Sequence, residues 1–350
     1  MSGRTFSGDT SVLTETVTLK KVVDGILDGS VIQSLVFSKA RPYAGVTQGI
    51  PLKYQKNTQM GSYTGMGNFS STVENNTVRM YWTPASMYAS ATIPSMDEAV
   101  NKTKSIVDLK RYKLESIKDD YLDLCADKFY GNGTGNDPDG LGNIVDDGTV
   151  AETFAGLTRA SYDALDADVD TSVGSIALPD IAASIDAATI GSHEPKLIIT
   201  TPTLWRAIED LLFPSITATY GAAGSSRGKI NRLGDVGKGQ TLTGLAGYTS
   251  IYYRGIPIVK DDKCTSGYIY YLNTDFLYWA GLAHPLYGTV DLGGGIIEGV
   301  NNEAPSNHGI AFTGWMRPTN QDGETCQLIQ YGQFVCESPR HQAVDQGCTS

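Results

Sequence analysis

The sequence is poor in charge and in histidine, and it has no long hydrophobic run. Asp, Glu, Lys and Arg make up 19% of its 350 residues, below the roughly 25% usual for globular chains. Lys and Arg number 27 against 38 Asp and Glu, a formal net charge of −11. A protein that grips nucleic acid by neutralising phosphates needs clustered cations, so this balance opposes that mode. Residues 1–19 carry one early Arg and no apolar core, so no secretory signal is expected there. No stretch approaches the roughly 18 apolar residues of a membrane span. No membrane partner is therefore expected, and the chain should stay in a reducing cytoplasm or be released by lysis. Five cysteines, Cys125, Cys264, Cys326, Cys336 and Cys348, include no C-x-x-C pair, which leaves them as ordinary thiols and not zinc ligands or a redox pair.

What is present is glycine, tyrosine and strand-like patterning. Gly occurs 39 times and Tyr 19 times, and 41% of residues are hydrophobic. A chain of 37.5 kDa can bury a sizeable core as two intimately connected domains. With so few cations, the partner of its free surface is expected to be protein.

Residues 1–48 show no strong period and read as an extended arm with one short helical stretch near Val22 to Phe37. Such an arm makes no core alone and must lie on something. From Gly49 to Pro94 the pattern turns to strand. Ile50–Gln55 leads out, Val78–Trp82 and Ser86–Ile93 return, and a Gly-rich segment with Met60, Tyr63, Met66 and Phe69 lies between. This predicts a long projecting β-hairpin. A two-stranded ribbon is marginal in water, so it should rest on a neighbouring surface.

Ser95 then reads as an N-cap with Asp97 and Glu98 in the first turn, and a helical pattern runs to Phe129 before Gly131. Val107, Leu114, Ile117, Tyr121, Leu124 and Cys125 form its apolar stripe. A continuous helix of that length would be on the order of 50 Å long. The turn-rich run from Tyr130 to Asn143 opens a second domain. Helices are expected at Pro179–Ile190 and Thr203–Leu212, the latter after a buried-type strand, Lys196–Thr200. Pro214–Gly247 reads as a long loop. Strands follow at Ile251–Val259 and Tyr268–Leu272, joined by a turn in which Asp261 and Asp262 supply local hydrogen bonding, and late strands end with Thr325–Cys336.

No catalytic constellation emerges. Gly224-Ser225-Ser226-Arg227-Gly228 matches a nucleophile elbow in letters, but its loop-like flanks lack the required strand and helix. A serine hydrolase using Ser226 is the competing reading from a different class. Gly131-x-Gly133-x-Gly135 follows a helix and not a strand, so it reads as a C-terminal cap and not a dinucleotide loop. Asp137-Pro138-Asp139-Gly140 lacks the further ligands of a calcium loop. His193, His284, His308 and His341 stand far apart, in no metal or triad spacing. No metal and no cofactor is expected, and no enzyme activity.

The order of parts resembles the major capsid proteins of tailed bacteriophages, the family with the Hong Kong 97 fold. Phe129-Tyr130-Gly131-Asn132-Gly133-Thr134 with Pro138-Asp139-Gly140-Leu141 is similar to that family's turn after its spine helix. Lys196–Thr200 followed by Thr201-Pro202-Thr203-Leu204-Trp205 is similar to its strand-then-helix element. Tyr253-Arg254-Gly255-Ile256-Pro257-Ile258-Val259-Lys260-Asp261-Asp262, then Gly267 to Asp275, resembles its Gly-Ile-Pro strand, acidic turn and aromatic strand ending in Asn-Thr-Asp. The likeness runs from about Gly49 to the C-terminus.

The resemblance implies an α+β fold: an N-terminal arm (1–48), an extended β-hairpin loop (49–94), a peripheral domain with the spine helix (95–136), an axial domain (137–294) and late strands returning to the peripheral domain (295–350). It implies a structural protein of the virion capsid. Pentamers and hexamers of the chain would form an icosahedral shell that encloses double-stranded DNA without sequence-specific binding and is assembled in the host cytoplasm. A bacterial nanocompartment shell of the encapsulin kind is the alternative within the fold. Separate scaffolding, portal and decoration proteins would be further partners. Lys53, Tyr63, Phe69 and Trp82 are the expected intersubunit contacts. Lys53 and Lys56 lie in the ribbon, yet no catalytic Glu or acceptor Asn can be matched for an isopeptide weld.

Overall fold

A computed structural model describes residues 30–43, 45–67, 69, 72–103, 109–222, 250–282, 288–289 and 309–350. In chain order the elements are α1 (Val31–Ser38), β1 (Arg41–Tyr43), β2 (Gln48–Lys53), β3 (Thr77–Trp82), β4 (Ala85–Pro94), α2 (Ser95–Thr103), α3 (Leu109–Tyr130) and α4 (Leu141–Ile144). There follow β5 (Thr153–Phe154), β6 (Leu157–Thr158), β7 (Asp168–Asp170), α5 (Leu178–Ala188), β8 (Leu197–Thr200), α6 (Pro202–Ala222), β9 (Ser250–Tyr253), β10 (Ile256–Lys260) and β11 (Ile269–Leu272). Last come β12 (Leu277–Leu282), β13 (Gly288–Thr289), β14 (Ile310–Phe312), β15 (Gly323–Cys336) and β16 (Ala343–Asp345).

Two six-stranded sheets organise these elements. The first runs β1-β12-β15-β14-β13 with β4 added on β15, and the second runs β7-β16-β11-β8-β10-β9. The second sheet is covered on both faces, which is why Leu197-Ile198-Ile199-Thr200 reads as an unbroken apolar run. Alternate residues serve different cores, as a strand's two-residue period requires. Leu197, Ile199, Val259 and Tyr270 face the large core shared with the first sheet. Ile198, Ile258, Ile269 and Tyr271 face a smaller core closed by α5 and α6.

Several expectations are corrected by strand pairing. The ribbon is β2 with β3, whereas β4 leaves it to pair with β15 from Ala85↔Gly332 to Pro94↔Gly323. The extended loop is therefore shorter than 49–94. Likewise Leu277–Leu282, placed by sequence in the 137–294 segment, pairs with β1 and β15 in the first sheet, while Ala343–Asp345 pairs in the second. Ile251–Val259 is not one strand: Arg254 (φ 50°) and Gly255 (φ 84°) make a two-residue turn between β9 and β10, the left-handed pair that a tight hairpin demands. Nor do Asp261 and Asp262 close a hairpin, because β8 lies between β10 and β11. Helix α6 continues past Pro214 to Ala222, and the remainder of the expected loop lies outside the described residues.

The expected single spine helix is two helices. The Leu109 N–H donates to Asn101 Oδ1 at 3.1 Å, and Lys110 Nζ lies 3.0 Å from Glu98 Oε1. Along one straight helix those residues would stand roughly 12 and 18 Å apart. Helix α3 alone carries the packing. It buries Ile117, Tyr121, Cys125, Ala126, Phe129 and Tyr130, while Leu124, expected on the same stripe, is 36% exposed. Val107 lies outside the described residues.

Of the arm, α1 and β1 are described, and α1 begins at Val31. Val31, Ile32, Leu35 and Val36 are buried in the large core, and Phe37 meets Phe129 and Trp279 edge to face at 5.5 and 5.9 Å. Its N-terminus is capped from 230 residues away. Asp261 Oδ2 accepts from the N–H groups of Val31 (2.8 Å) and Ile32 (3.4 Å), from Ser30 Oγ (2.9 Å) and from Tyr130 OH (2.9 Å). A carboxylate there meets both the open N–H groups and the positive end of the helix dipole.

On β16, Asp345 is 1% exposed, and Ser184 Oγ and Tyr271 OH each donate to its carboxylate at 2.6 Å. Burial outweighs those two hydrogen bonds and, with Asp170 and Asp168 adding in the same direction, pushes its pKa up to about 6. The unfolded carboxyl titrates near 3.9. The folded chain thus holds this proton more tightly, and Asp345 favours folding increasingly as pH falls from about 6 to 4. Asp345→Asn should therefore exceed the wild type in stability at pH 7.5, by up to about 3 kcal/mol, and lose the advantage by pH 4. Thermal midpoints of the two proteins across that range check this; a variant less stable at pH 7.5 would mean that the hydrogen bonds outweigh burial.

Candidate intersubunit surfaces

The ribbon is fastened to the body along its ladder, where Ile50 and Leu52 pack on the large core. Gln48 Nε2 donates to Tyr278 OH at 3.1 Å, the Tyr81 N–H donates to the Ala155 carbonyl at 2.8 Å, and Tyr54 packs edge to face on Tyr162 at 5.0 Å. Beyond Lys53 the two arms are held by side chains in place of a regular ladder. Tyr54 OH donates to the Asn75 carbonyl at 2.6 Å, Gln55 Nε2 to Asn76 Oδ1 at 3.0 Å, and the Thr58 N–H to Glu74 Oε2 at 3.0 Å. The Thr58 hydroxyl and N–H together hold the Glu74 carboxyl below its ordinary pKa.

This polar frame presents apolar side chains to solvent. Met60, Tyr63, Met66, Phe69 and Val73 are all at least 64% exposed, and Tyr63 stacks edge to face on Phe69 at 4.9 Å. Large hydrophobic groups left exposed beyond the end of a ribbon's ladder mark a surface to be covered. Lys53 sits exposed at the end of β2, opposite Thr77. Structure thus brings Tyr63 and Phe69 together, and Lys53 stands at the end of the ladder.

Trp82 is a correction. Expected at an intersubunit contact, it is 2% exposed and packs on Phe154 at 6.0 Å inside the large core. Met80 and Trp82 share the inward face of β3, and it is Tyr81 between them that points outward at 47% exposure. Trp82 therefore anchors the ribbon's base.

The Gly-rich turn after α3 is structural. Asp137 pairs with Lys128 at 2.7 Å, and Asp139 Oδ1 accepts from Asn143 Nδ2 at 2.8 Å, so both carboxylates have protein partners. Gly140 is required by close approach: a Cβ there would lie 2.3 Å from the Gly131 carbonyl oxygen and 2.6 Å from that of Lys128. Below it, Arg159 is 1% exposed, spreads over Phe154 at 5.0 Å and donates to the carbonyls of Ala151 (3.1 Å), Asn143 (2.5 Å) and Leu165. Its burial draws the guanidinium pKa down, opposed by Asp146 and Asp166.

No group of three His, Cys, Asp or Glu able to hold a metal ion occurs among the described residues. All five cysteines are buried and unpaired, and burial pushes the thiols of Cys125, Cys336 and Cys348 up to about 12, far from a reactive thiolate. Ser226 lies outside the described residues. Among those residues no helix is long and apolar enough to cross a membrane. Sequence spacing missed one contact: His193 and His341 meet, with ring centroids 5.4 Å apart. The other two histidines lie outside the described residues.

No protein-family model and no curated protein matches the chain. Solved structures do, along nearly its whole length. The capsid of cyanophage A-1(L) superposes with a TM-score of 0.68 at 13% identity, covering 99% of this chain and 100% of that one. The capsid of a native GTA particle gives 0.58 at 9% identity, with 98% of each chain covered. The SrpI encapsulin of Synechococcus elongatus gives 0.57 at 12% identity, covering 99% of this chain and 96% of that one. Sheet pairing, the helix packed beneath the first sheet, the projecting ribbon and these full-length superpositions together establish that the chain has the Hong Kong 97 fold of tailed-phage capsid proteins.

Proposed function

We propose that the chain is a major capsid protein, a structural subunit that closes through pentamers and hexamers into an icosahedral shell around phage DNA. The observation that carries this reading is the ribbon tip: Tyr63, Met66, Phe69 and Val73 are exposed on an arm that the described residues of its own subunit do not cover. Heterologous contacts of such an arm generate rings when the rotation closes, and aromatic side chains supply contact area at low entropic cost. The superpositions on capsid chains support the same reading. A net charge of −11 suits a container that need not hold its genome tightly, since counterions neutralise packaged DNA. Scaffolding, portal and decoration proteins would then be separate partners, and assembly would take place in the host cytoplasm.

Superposition on an encapsulin supports a second reading, a nanocompartment that encloses protein cargo. Electron microscopy of the concentrated full-length chain, alone and with co-expressed neighbours, should show closed shells, tubes or capsomer rings. Nucleic acid inside them favours the phage capsid, and a copurifying protein cargo favours the compartment. Monomers under every condition would sink both.

A further inference from the structure

Two crossovers carry the chain between the sheets, residues 273–276 from β11 to β12 and residues 337–342 from β15 to β16. They hold each other through neutral hydrogen bonds. The Asn273 N–H donates to Gln342 Oε1 at 2.8 Å, Gln342 Nε2 returns a bond to the Asn273 carbonyl at 3.3 Å, and the Glu337 N–H donates to the Phe276 carbonyl at 2.9 Å. Asn273 and Gln342 are fully buried.

Three rings close over this joint. Phe276 comes from the first crossover, His341 from the second, and His193 from the loop leading into β8. The centroids of His193 and His341 stand 5.4 Å apart, those of Phe276 and His341 4.7 Å, and those of His193 and Phe276 5.4 Å. Ser338 Oγ lies 2.8 Å from His341 Nδ1. Charges around the cluster are unevenly placed. The field of His193 acts on Asp275, whose carboxylate is paired with Lys196 at 2.5 Å and also feels Lys39. Lys39 Nζ donates to the Thr274 carbonyl, and Arg41 pairs with Glu337 at 3.1 Å at the entry to the second crossover. Glu194 contributes its carbonyl, which accepts from Asn273 Nδ2 at 3.0 Å. The charges acting on His341 are cationic: Arg340 and, once protonated, His193.

We propose that His193, Phe276 and His341 form an acid-operated latch on the joint between the two sheets. Neutral rings pack together and hold the crossovers closed. A proton on His341 charges a ring packed against His193 and Phe276 with the Arg340 cation nearby, and His341 leaves the cluster. Burial, then His193 and Arg340, keep the His341 pKa below its ordinary value. For a histidine depressed in this way, stability is complete above its unfolded pKa of about 6.5 and is lost as pH falls through the folded value. The latch therefore opens on the acid side. It lies within one subunit, so it stands or falls independently of shell assembly.

Hydrogen exchange of the full-length protein at pH 7.5 and 5.0, corrected for the intrinsic pH dependence of exchange, tests the latch. Peptides covering 273–276 and 337–342 should lose protection by about tenfold on acidification, while Thr77–Trp82 in the ribbon changes less than twofold. His341→Phe keeps an uncharged ring at both pH values and should abolish the difference. Ser338→Ala removes only the hydroxyl partner and should preserve it. Should His341→Phe not fold, His341→Tyr, a ring uncharged at both pH values, should likewise flatten the response. Equal protection of the wild-type crossovers at both pH values overturns the proposal, as does a ring variant that loosens on acidification as the wild type does.

Discussion

Replacing Tyr63 and Phe69 together with serine should give a subunit that folds normally and does not close into shells below at least about ten times the concentration the wild type needs. The two rings touch each other, at 4.9 Å, and otherwise face solvent at 64% and 72% exposure. Removing them takes nothing from either core. At an interface between copies, however, buried aromatic anchors contribute about 2 kcal/mol or more each, and every copy in a shell would repeat the loss. The comparison that isolates this effect is Trp82→Ala. That residue lies in the large core against Phe154, so its truncation should cost about 3–5 kcal/mol of the subunit's own stability. Light scattering against concentration reads assembly, and thermal unfolding of the dissociated chain reads folding. If the tip double variant assembles at the wild-type threshold, the ribbon tip is not a contact; if it melts early, the tip belongs to the subunit core after all.

Local chemistry was legible in the sequence wherever a segment's environment is set by its immediate neighbours. The buried run Leu197–Thr200, the Gly-Ile-Pro strand, the ribbon with its exposed tip and the Gly-rich turn after α3 all follow from composition and period. Sequence was silent where the deciding partner is remote or where two phases fit equally. On β3, alternation places Met80 and Trp82 on one face and Val78's neighbours Thr77 and Arg79 on the other, yet it does not say which face is inward. Only the contact with Phe154 decides that Trp82 is core. The helical pattern runs without interruption from Ser95 to Phe129, so the break shows in the Asn101 bond to the Leu109 N–H and the Lys110–Glu98 pair. Ala85–Pro94 looks like the continuation of a hairpin because Thr83-Pro84 alone separates it from β3; its pairing with β15 is a contact across more than two hundred residues. His193 and His341 meet for the same kind of reason, the loop before β8 lying against the crossover from β15 to β16.

Asp261 is the strongest case of remote control, and Asp261→Ala should destabilise the folded subunit by about 3–5 kcal/mol. Ser30 precedes α1 as a ready N-cap residue, yet its hydroxyl makes no cap; it donates to Asp261 while the Asp261 carboxylate receives the first helical N–H groups. Deleting the carboxylate leaves four buried donors without their acceptor: Ser30 Oγ, the Val31 and Ile32 N–H groups and the Tyr130 hydroxyl. Each lost partner costs on the order of 1 kcal/mol or more when water cannot enter. The favourable placement of a negative charge at a helix N-terminus disappears with it. Asp261→Asn, which keeps an acceptor oxygen but not the charge, should fall about midway, and Tyr130→Phe should cost about 1 kcal/mol. Urea unfolding ranks the three, and hydrogen exchange at Val31–Ser38 should rise most in Asp261→Ala because α1 is the element the carboxylate holds. An Asp261→Ala protein within about 0.5 kcal/mol of wild type would mean that α1 is kept in place by the burial of Ile32 and Val36 alone.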